Sequence, residues 1–490
     1  MENSFSHEKN RSFFIKIAFS DYVKLIPVLG LAFYIAFIPH IGYNYPLHVD
    51  EWYHFAFMRA FQNAGSVNFP DPILGAGWYN LGNNLEVGFH VFWGVFQAVS
   101  GISWLTIFRF FPGIVFMMTA LAVYILGRRE GFGWYAALFT CLITTTVGIL
   151  GPGFLVPVAF GLFIIPLALF VAFNFRGFWS YSVLFILTFF LLTLHSPSAI
   201  ILVILLAPNI IMSLRTNAWH SMGVTFALLI PFLAPFPWML DYFMVTVKDL
   251  LTVKTLPEWV SFPRIIKSYG YLPMALCLLG VFILALKSNL RNYSFILGFM
   301  ALLTMLVIFF VFGYGVSIIY ERGLMYMMLM IGVFAGAGLA WMAKLGFTLG
   351  SPVLTFFTRN AGKLVSFVLI FAIFAFAIPE RLDINYYKII NDTEYQDFIW
   401  IRDNVGTEYG KAVLDPWKAN AFAPITGKKV YARLHAFPLP RDEEARAFLG
   451  AGCTDSEFLR KNDISIVYTY GECRNPDLTK LKERIYLFRE

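Results

Sequence analysis

A long series of apolar runs separated by short polar turns leaves this chain little choice of fold. The runs fall at about Leu25–Ile41, Trp104–Leu126, Trp134–Leu150, Leu155–Phe173, Ser180–Leu194, Pro197–Leu214, Trp219–Leu240, Tyr269–Leu286, Tyr293–Phe312, Gly323–Ala343 and Lys363–Pro379. In hydrocarbon every backbone N–H and C=O must be satisfied within the segment, so such runs are helices. Charged residues are 14% of the 490 positions and hydrophobic ones 58%, against roughly 25% charged in a soluble protein. Mean hydropathy is +0.67. The expectation is a mainly α, polytopic helical membrane protein with about eleven spans.

The net charge of +7 does not point to nucleic acid, because Lys and Arg are scattered through loops between apolar runs, as membrane orientation requires. The polar stretch Met1–Lys24 is too long for a cleavable signal, and its Lys9, Arg11, Lys16 and Lys24 predict a cytoplasmic N-terminus. Eleven crossings then put the C-terminus outside. Expected inner loops hold Arg128, Arg129, Arg176, Arg215, Lys287, Arg291, Lys344 and Arg359, whereas the outer turns Gly151–Phe154 and His195–Pro197 hold no Lys or Arg. The outer loop Asp241–Ser268 is less regular, with Lys248, Lys254, Arg264 and Lys267.

Two stretches are not simply membranous. Between Gly42 and Ser103 the pattern predicts an amphipathic helix over Asp50–Gln62, a loop from Phe69 to Gly82, and an aromatic helix over Val87–Val99. The last is too short to cross and lies in the interface. From Glu380 the composition becomes that of a soluble domain, with helices at Glu394–Asn404, Asp442–Leu449 and Asp455–Arg460 and strands at Lys411–Leu414, Lys429–Tyr431 and Ile464–Tyr470. The expected division is a membrane domain over 1–379, including outer loop 43–103, and a small extracytoplasmic α/β domain over 380–490. Cys141 and Cys277 fall within spans. Cys453 and Cys473 share the soluble domain and could pair there if it lies outside, although spacing does not establish the geometry.

Chemistry concentrates in His48-Val49-Asp50-Glu51-Trp52-Tyr53-His54-Phe55. Two adjacent carboxylates flanked by imidazoles are costly beside a bilayer unless water, a cation or a substrate compensates them. On a helix starting at Asp50, Asp50 and His54 share a face and Glu51 lies about 100° away. The plain alternative is that both acids cap the helix they begin.

An N-terminal span followed by an outer loop that opens with Asp50-Glu51 and two interfacial helices resembles the GT-C superfamily of membrane glycosyltransferases, which use polyprenyl-phosphate-linked sugars. The Asp-Glu pair is similar to that of protein O-mannosyltransferases and lipid A aminoarabinose transferases. The layout looks more like the oligosaccharyltransferase catalytic subunit, whose late-span Arg, a ligand of lipid phosphate, is matched in position by Arg322 of Ile319-Tyr320-Glu321-Arg322-Gly323. Asp397–Asn404 and Ala412-Val413-Leu414-Asp415-Pro416-Trp417 resemble the start of that family's soluble domain. There are departures. The Trp-Trp-Asp-Tyr-Gly sequon motif is replaced by Leu414-Asp415-Pro416-Trp417-Lys418, and the acidic metal motif of the second outer loop by Gly151-Pro152-Gly153-Phe154-Leu155-Val156-Pro157.

The resemblance implies sugar transfer from a polyprenyl-phosphate donor to a lipid-linked or protein acceptor at the outer face of the bilayer; the loss of the acidic motif argues against the family's metal site and for a metal-independent monosaccharide transferase with no resident cofactor. Such transfer needs a base for the acceptor proton and positive charge on the departing phosphate. Asp50 is the expected base and Glu51 a second carboxylate. Arg322 suits phosphate binding, His195 stands at an outer turn, and His54, Tyr320, Glu321 and Trp417 are further candidates for holding substrate. Each also has a structural reading: Arg322 could pair with Glu321 or snorkel, and His195 could be a satisfied buried histidine. A divalent cation such as Mg or Mn remains open, with His48, Asp50 and His54 as its ligands. A lipid-linked glycan flippase or transporter, or a scaffold displaying its outer domain, are the competing classes.

Overall fold

The computed structural model describes residues 21–80, 86–143, 151–234, 240, 244, 269–315, 317–346, 358–383, 388–434 and 439–488. In chain order the first elements are α1 (Asp21–Phe37), α2 (Val49–Ala64), the short strands β1 (Phe69–Pro70) and β2 (Trp78–Tyr79), α3 (Val87–Ser100), α4 (Trp104–Arg128), α5 (Gly133–Thr140) and α6 (Pro157–Asn174). The helices α7 (Phe178–Leu194), α8 (Ser196–Thr216), α9 (Ala218–Leu233), α10 (Tyr271–Leu286), α11 (Leu290–Phe312), α12 (Ser317–Met342) and α13 (Ala361–Asp383) follow. The chain ends with α14 (Asp392–Asn404), β3 (Lys411–Val413), α15 (Pro416–Thr426), β4 (Lys429–Val430), α16 (Pro440–Gly450), α17 (Ser456–Lys461), β5 (Ile466–Tyr468), β6 (Leu478–Lys482) and β7 (Ile485–Phe488). They divide into two compact units, one of residues 1–38 and 110–384, the other of residues 39–109 and 385–490.

The regular elements of the first unit among the described residues are all helices. Seven helices in the described chain are long and apolar enough to cross a membrane: Tyr22–His40, Trp104–Arg128, Pro157–Asn174, Ser196–Thr216, Leu290–Phe312, Arg322–Met342 and Ala361–Pro379. Among the described residues, not all of the expected eleven reach that length. α7, α9 and α10 run 17, 16 and 16 residues, short of the roughly 20 that a span takes, and the run from Trp134 is helical only over the 8 residues of α5 among those described. The expected outer loop Asp241–Ser268 lies outside the described residues except for Met244.

α12 is the centre of this unit. Its span window is entirely buried, and it packs on α5, α8, α10 and α11. Small residues make the approach to α10 possible: a Cβ on Gly280 would run into the Phe334 carbonyl, and one on Gly338 into that of Leu276. Such close backbone contact is how helices associate where burial of apolar surface offers no net drive.

The second unit joins residues 39–109 to residues 385–490. The sequence reading attached 43–103 to the membrane helices; its contacts group it with 385–490. Tyr43 Oη donates to the Ile390 carbonyl at 2.9 Å and Tyr45 Oη to Asp392 Oδ1 at 2.8 Å. Lys429 Nζ donates to the carbonyls of Asp71 and Pro72, and the Val430 N–H to that of Ile73. The sheet has the order β4-β3-β5-β7-β6, parallel through β4, β3 and β5 and antiparallel through β5, β7 and β6. Val413, Phe448, Leu459, Val467, Tyr486 and Phe488 form its core with Cys453, which is disulfide-bonded to Cys473. α14 starts on a capping box between Asn391 and Glu394, which satisfies two backbone donors that a helix start otherwise leaves open.

Candidate functional site

The start of α2 is built by its own sequence. His48 is the N-cap in extended conformation, and its Nδ1 accepts the Asp50 N–H at 3.2 Å. A helix N-terminus favours negative charge in its first turn, and both acids sit there. They face different surroundings. Glu51 is wholly buried, and its Oε2 accepts the Leu47 N–H at 2.6 Å, closing the turn that leads into the helix. Asp50 keeps 39% of its side-chain surface exposed, with Oδ2 3.7 Å from His48 Nδ1. The pair therefore separates into one acid that holds the chain and one that faces outward. Trp52, fully buried, anchors the same turn.

One turn along, His54 is buried against α3. Its Nδ1 lies 3.0 Å from His90 Nε2 and 3.9 Å from Glu86 Oε2. Among the described residues these three form a group whose ligand atoms all lie within 4.8 Å of one another. The sequence reading singled out His48, Asp50 and His54 for a cation; the structure gathers His54 with two α3-side residues instead and uses His48 as a cap. Burial drives the His90 pKa down to about 3. Glu86 and His90 went unnoticed in the sequence, although their spacing of four at the start of an expected helix puts them on one face.

Around this group, Tyr53 Oη and Tyr79 Oη are 3.2 Å apart, and burial raises the Tyr53 pKa to about 12. The Arg433 guanidinium lies over the Tyr53 ring at 5.0 Å and 3.6 Å from Asp71 Oδ2. A cavity of about 380 Å³ borders the opposite face of α2, beside Arg59, Asn63, Pro424 and Lys429. Arg59 donates to the Pro424 carbonyl at 2.5 Å, and Lys429 to those of Asp71 and Pro72. Both cations are thus engaged with backbone.

In the helical unit, His195 separates α7 from α8 in extended conformation, with Pro197 in the first turn of α8, where a missing N–H costs nothing. It is buried, and its Nδ1 lies 2.5 Å from Ser198 Oγ. Ser198 Oγ is hydrogen-bonded in turn to Tyr326 Oη of α12. Gly161 of α6 lies against both hydroxyls and leaves no room for a Cβ. Arg322, one helical turn before Tyr326, is partly exposed, and its charge acts on both His195 and Tyr326. His195 and Arg322, distant in sequence, therefore share one polar neighbourhood. Tyr320 and Glu321 belong to α12, but their side chains lie outside the described residues. Trp417 opens α15, which Asp415 caps through the Trp417 N–H at 3.1 Å.

Solved structures match this architecture. The apo form of the Archaeoglobus fulgidus oligosaccharyltransferase aligns with a TM-score of 0.64 at 12% identity, covering 92% of this chain and 70% of that one. The fold is of the GT-C type. The same enzyme tethered by a disulfide to an acceptor peptide containing the NVT sequon gives 0.62 at 11% identity, over 92% and 69% of the two chains. Its complex with Zn and sulfate gives 0.58 at 13%, over 90% and 67%. No protein-family model and no curated protein matches the chain.

The GT-C-type fold and the seven apolar helices make this an integral membrane protein. Where the resemblance calls for an acidic metal motif, Gly151–Pro157 holds no carboxylate and is buried along its whole length. That motif's metal has no ligands in this segment.

Proposed function

We propose that the chain is a membrane glycosyltransferase that moves a sugar from a polyprenyl-phosphate donor to a hydroxyl acceptor, lipid-linked or protein, on the extracytoplasmic face. The observation that carries this reading is the division of labour at the start of α2, where Glu51 is buried and bonded to Leu47 while Asp50 stays open to solvent, in a fold shared with an oligosaccharyltransferase. In the reaction Asp50 takes the acceptor proton as the new glycosidic bond forms. The bond from the anomeric carbon to the donor phosphate breaks, and the lipid phosphate leaves with that electron pair. Arg322 neutralises the departing phosphate, since a guanidinium donates two parallel hydrogen bonds to phosphate oxygens. His195 helps to hold the donor, and Tyr320 and Glu321, neighbours of Arg322 in sequence, contact it. Glu51 serves as a positioning residue.

The outward orientation of residues 385–490 is supported by the Lys and Arg content of the expected inner loops and by the Cys453–Cys473 disulfide, because disulfides persist in oxidising compartments. The test is turnover of a small panel of polyprenyl-phosphate sugars by purified wild type and Asp50→Asn. Wild type is expected to release lipid phosphate and glycosylated product, and the variant to bind donor without turning it over. Transbilayer movement of an intact donor without release of lipid phosphate would instead establish the flippase reading.

A further inference from the structure

We propose that His54, Glu86 and His90 bind a divalent transition-metal ion of the zinc class, which ties α2 to α3 and so fixes the helix that carries Asp50. This site does not depend on the glycosyltransferase reading, because its occupancy is measured directly.

The geometry is close to what such an ion takes. Zinc–nitrogen bonds of about 2.0–2.1 Å at tetrahedral angles separate two ligand atoms by about 3.3 Å; His54 Nδ1 and His90 Nε2 are 3.0 Å apart. Glu86 Oε2 is 3.9 Å from His54 Nδ1, so small side-chain rotations bring all three onto one centre. Glu86 is the N-cap of α3 and makes no capping bond with its side chain; its carboxylate lies within 4.8 Å of the ligand atoms of both His54 and His90.

The donor set selects the metal. Two imidazoles and one carboxylate suit zinc and its borderline neighbours, whereas Mg favours all-oxygen octahedra and keeps its waters. A three-residue protein set leaves a fourth position for water. Glu86, with 29% of its side-chain surface exposed, opens the group to entering ions, and aromatic rings pack on the two imidazoles. Phe89 meets the His54 ring edge-on at 5.1 Å and Phe57 stacks on His90 at 5.6 Å, which fixes both ring planes. The ligands come from two helices, Glu86 and His90 from the start of α3 and His54 from α2, so the ion cross-links them one turn from Asp50.

A direct hydrogen bond between the two imidazoles is the competing account, and metal binding decides between them. Untagged full-length protein, stripped with chelator in detergent, is dialysed against zinc, and bound metal is counted by mass spectrometry. One zinc per chain is expected, with an absorption-edge spectrum showing only nitrogen and oxygen neighbours. Glu86→Gln, which removes a partly exposed ligand and spares the buried pair, should weaken binding at least about tenfold, the lower end of what losing even an outer partner costs. His90→Gln should weaken it further. His48→Ala, outside the set, should leave zinc affinity unchanged. Zinc should raise the unfolding temperature of wild type and not that of His90→Gln, and Mg should not displace it. Absence of stoichiometric zinc, equal affinity in Glu86→Gln and His90→Gln, or bound zinc without a stability gain would each overturn the proposal.

Discussion

Glu51 reaches back to the backbone N–H of Leu47 at 2.6 Å from a fully buried position, and this bond helps to close the turn by which the chain enters α2. Removing a buried acceptor leaves its donor unsatisfied, at about 1–3 kcal/mol. Glu51→Ala is therefore expected to lower the thermal unfolding midpoint of the detergent-solubilised protein and to reduce turnover with it. Glu51→Gln keeps an acceptor oxygen and should recover both. Asp50→Asn, at a half-exposed position, should leave the midpoint unchanged while abolishing turnover. A well-folded but inactive Glu51→Gln would show that the second carboxylate acts in the chemistry itself.

His195 is joined through Ser198 to Tyr326, which lies one helical turn after Arg322 on α12. A charge-assisted hydrogen bond to phosphate is worth about 1.5–3 kcal/mol, so Arg322→Ala should weaken donor binding by roughly one to two orders of magnitude. Arg322→Lys should recover part of it, since an ammonium supplies charge without the planar fork. Donor affinity measured under non-turnover conditions checks this; an unchanged affinity in Arg322→Ala would remove it from the phosphate site.

Local periodicity made much of this architecture legible. α2 was expected over Asp50–Gln62 and runs Val49–Ala64, α3 over Val87–Val99 and runs Val87–Ser100, and Lys411-Ala412-Val413 and Lys429-Val430 are strands as their β-branched content suggests. What could not be read is tertiary. A helical wheel separates Asp50 from Glu51 by about 100° but does not say which of them is buried. The meeting of His54 with Glu86 and His90 depends on α2 packing on α3, and the grouping of 39–109 with 385–490 rests on contacts such as Tyr43 with Ile390, 347 positions apart. α15 was overlooked despite the Asp415-Pro416 start signal, because its Ala- and Pro-rich run lacks amphipathic period. The strands β6 and β7 were missed for the opposite reason, as Lys-rich and aromatic segments of 5 and 4 residues are too short for a pattern to emerge.

The Cys453–Cys473 bridge closes a stretch of sequence separation 20, while Cys141 and Cys277 are buried thiols. Titration of the denatured, unreduced protein should therefore find two thiols per chain, and four after reduction. Closing a loop of this size stabilises by about 3 kcal/mol through the unfolded state. Cys473→Ser should lower the stability of the C-terminal residues accordingly, read as faster proteolysis there while the membrane helices stay protected.

Asp397 governs the acid stability of the same unit. Burial opposes its charge, yet hydrogen bonds from Lys482 Nζ and Arg484 Nη1, both at 2.8 Å, outweigh that and hold its pKa below the ordinary carboxylate value; Tyr468 Oη adds a third at 3.2 Å. A carboxylate with a depressed folded-state pKa binds fewer protons folded than unfolded. Its stabilisation is complete above the ordinary value near 4 and is lost as pH falls through the folded-state value. Wild type should accordingly lose stability steeply below pH ~4, followed through Trp400, which is on the same helix and beneath Lys482 at 5.9 Å. Asp397→Asn should be less stable near neutral pH and flatter in its acid dependence, because it has no proton to take up. Superimposable acid profiles for the two proteins would locate the acid-sensitive group elsewhere.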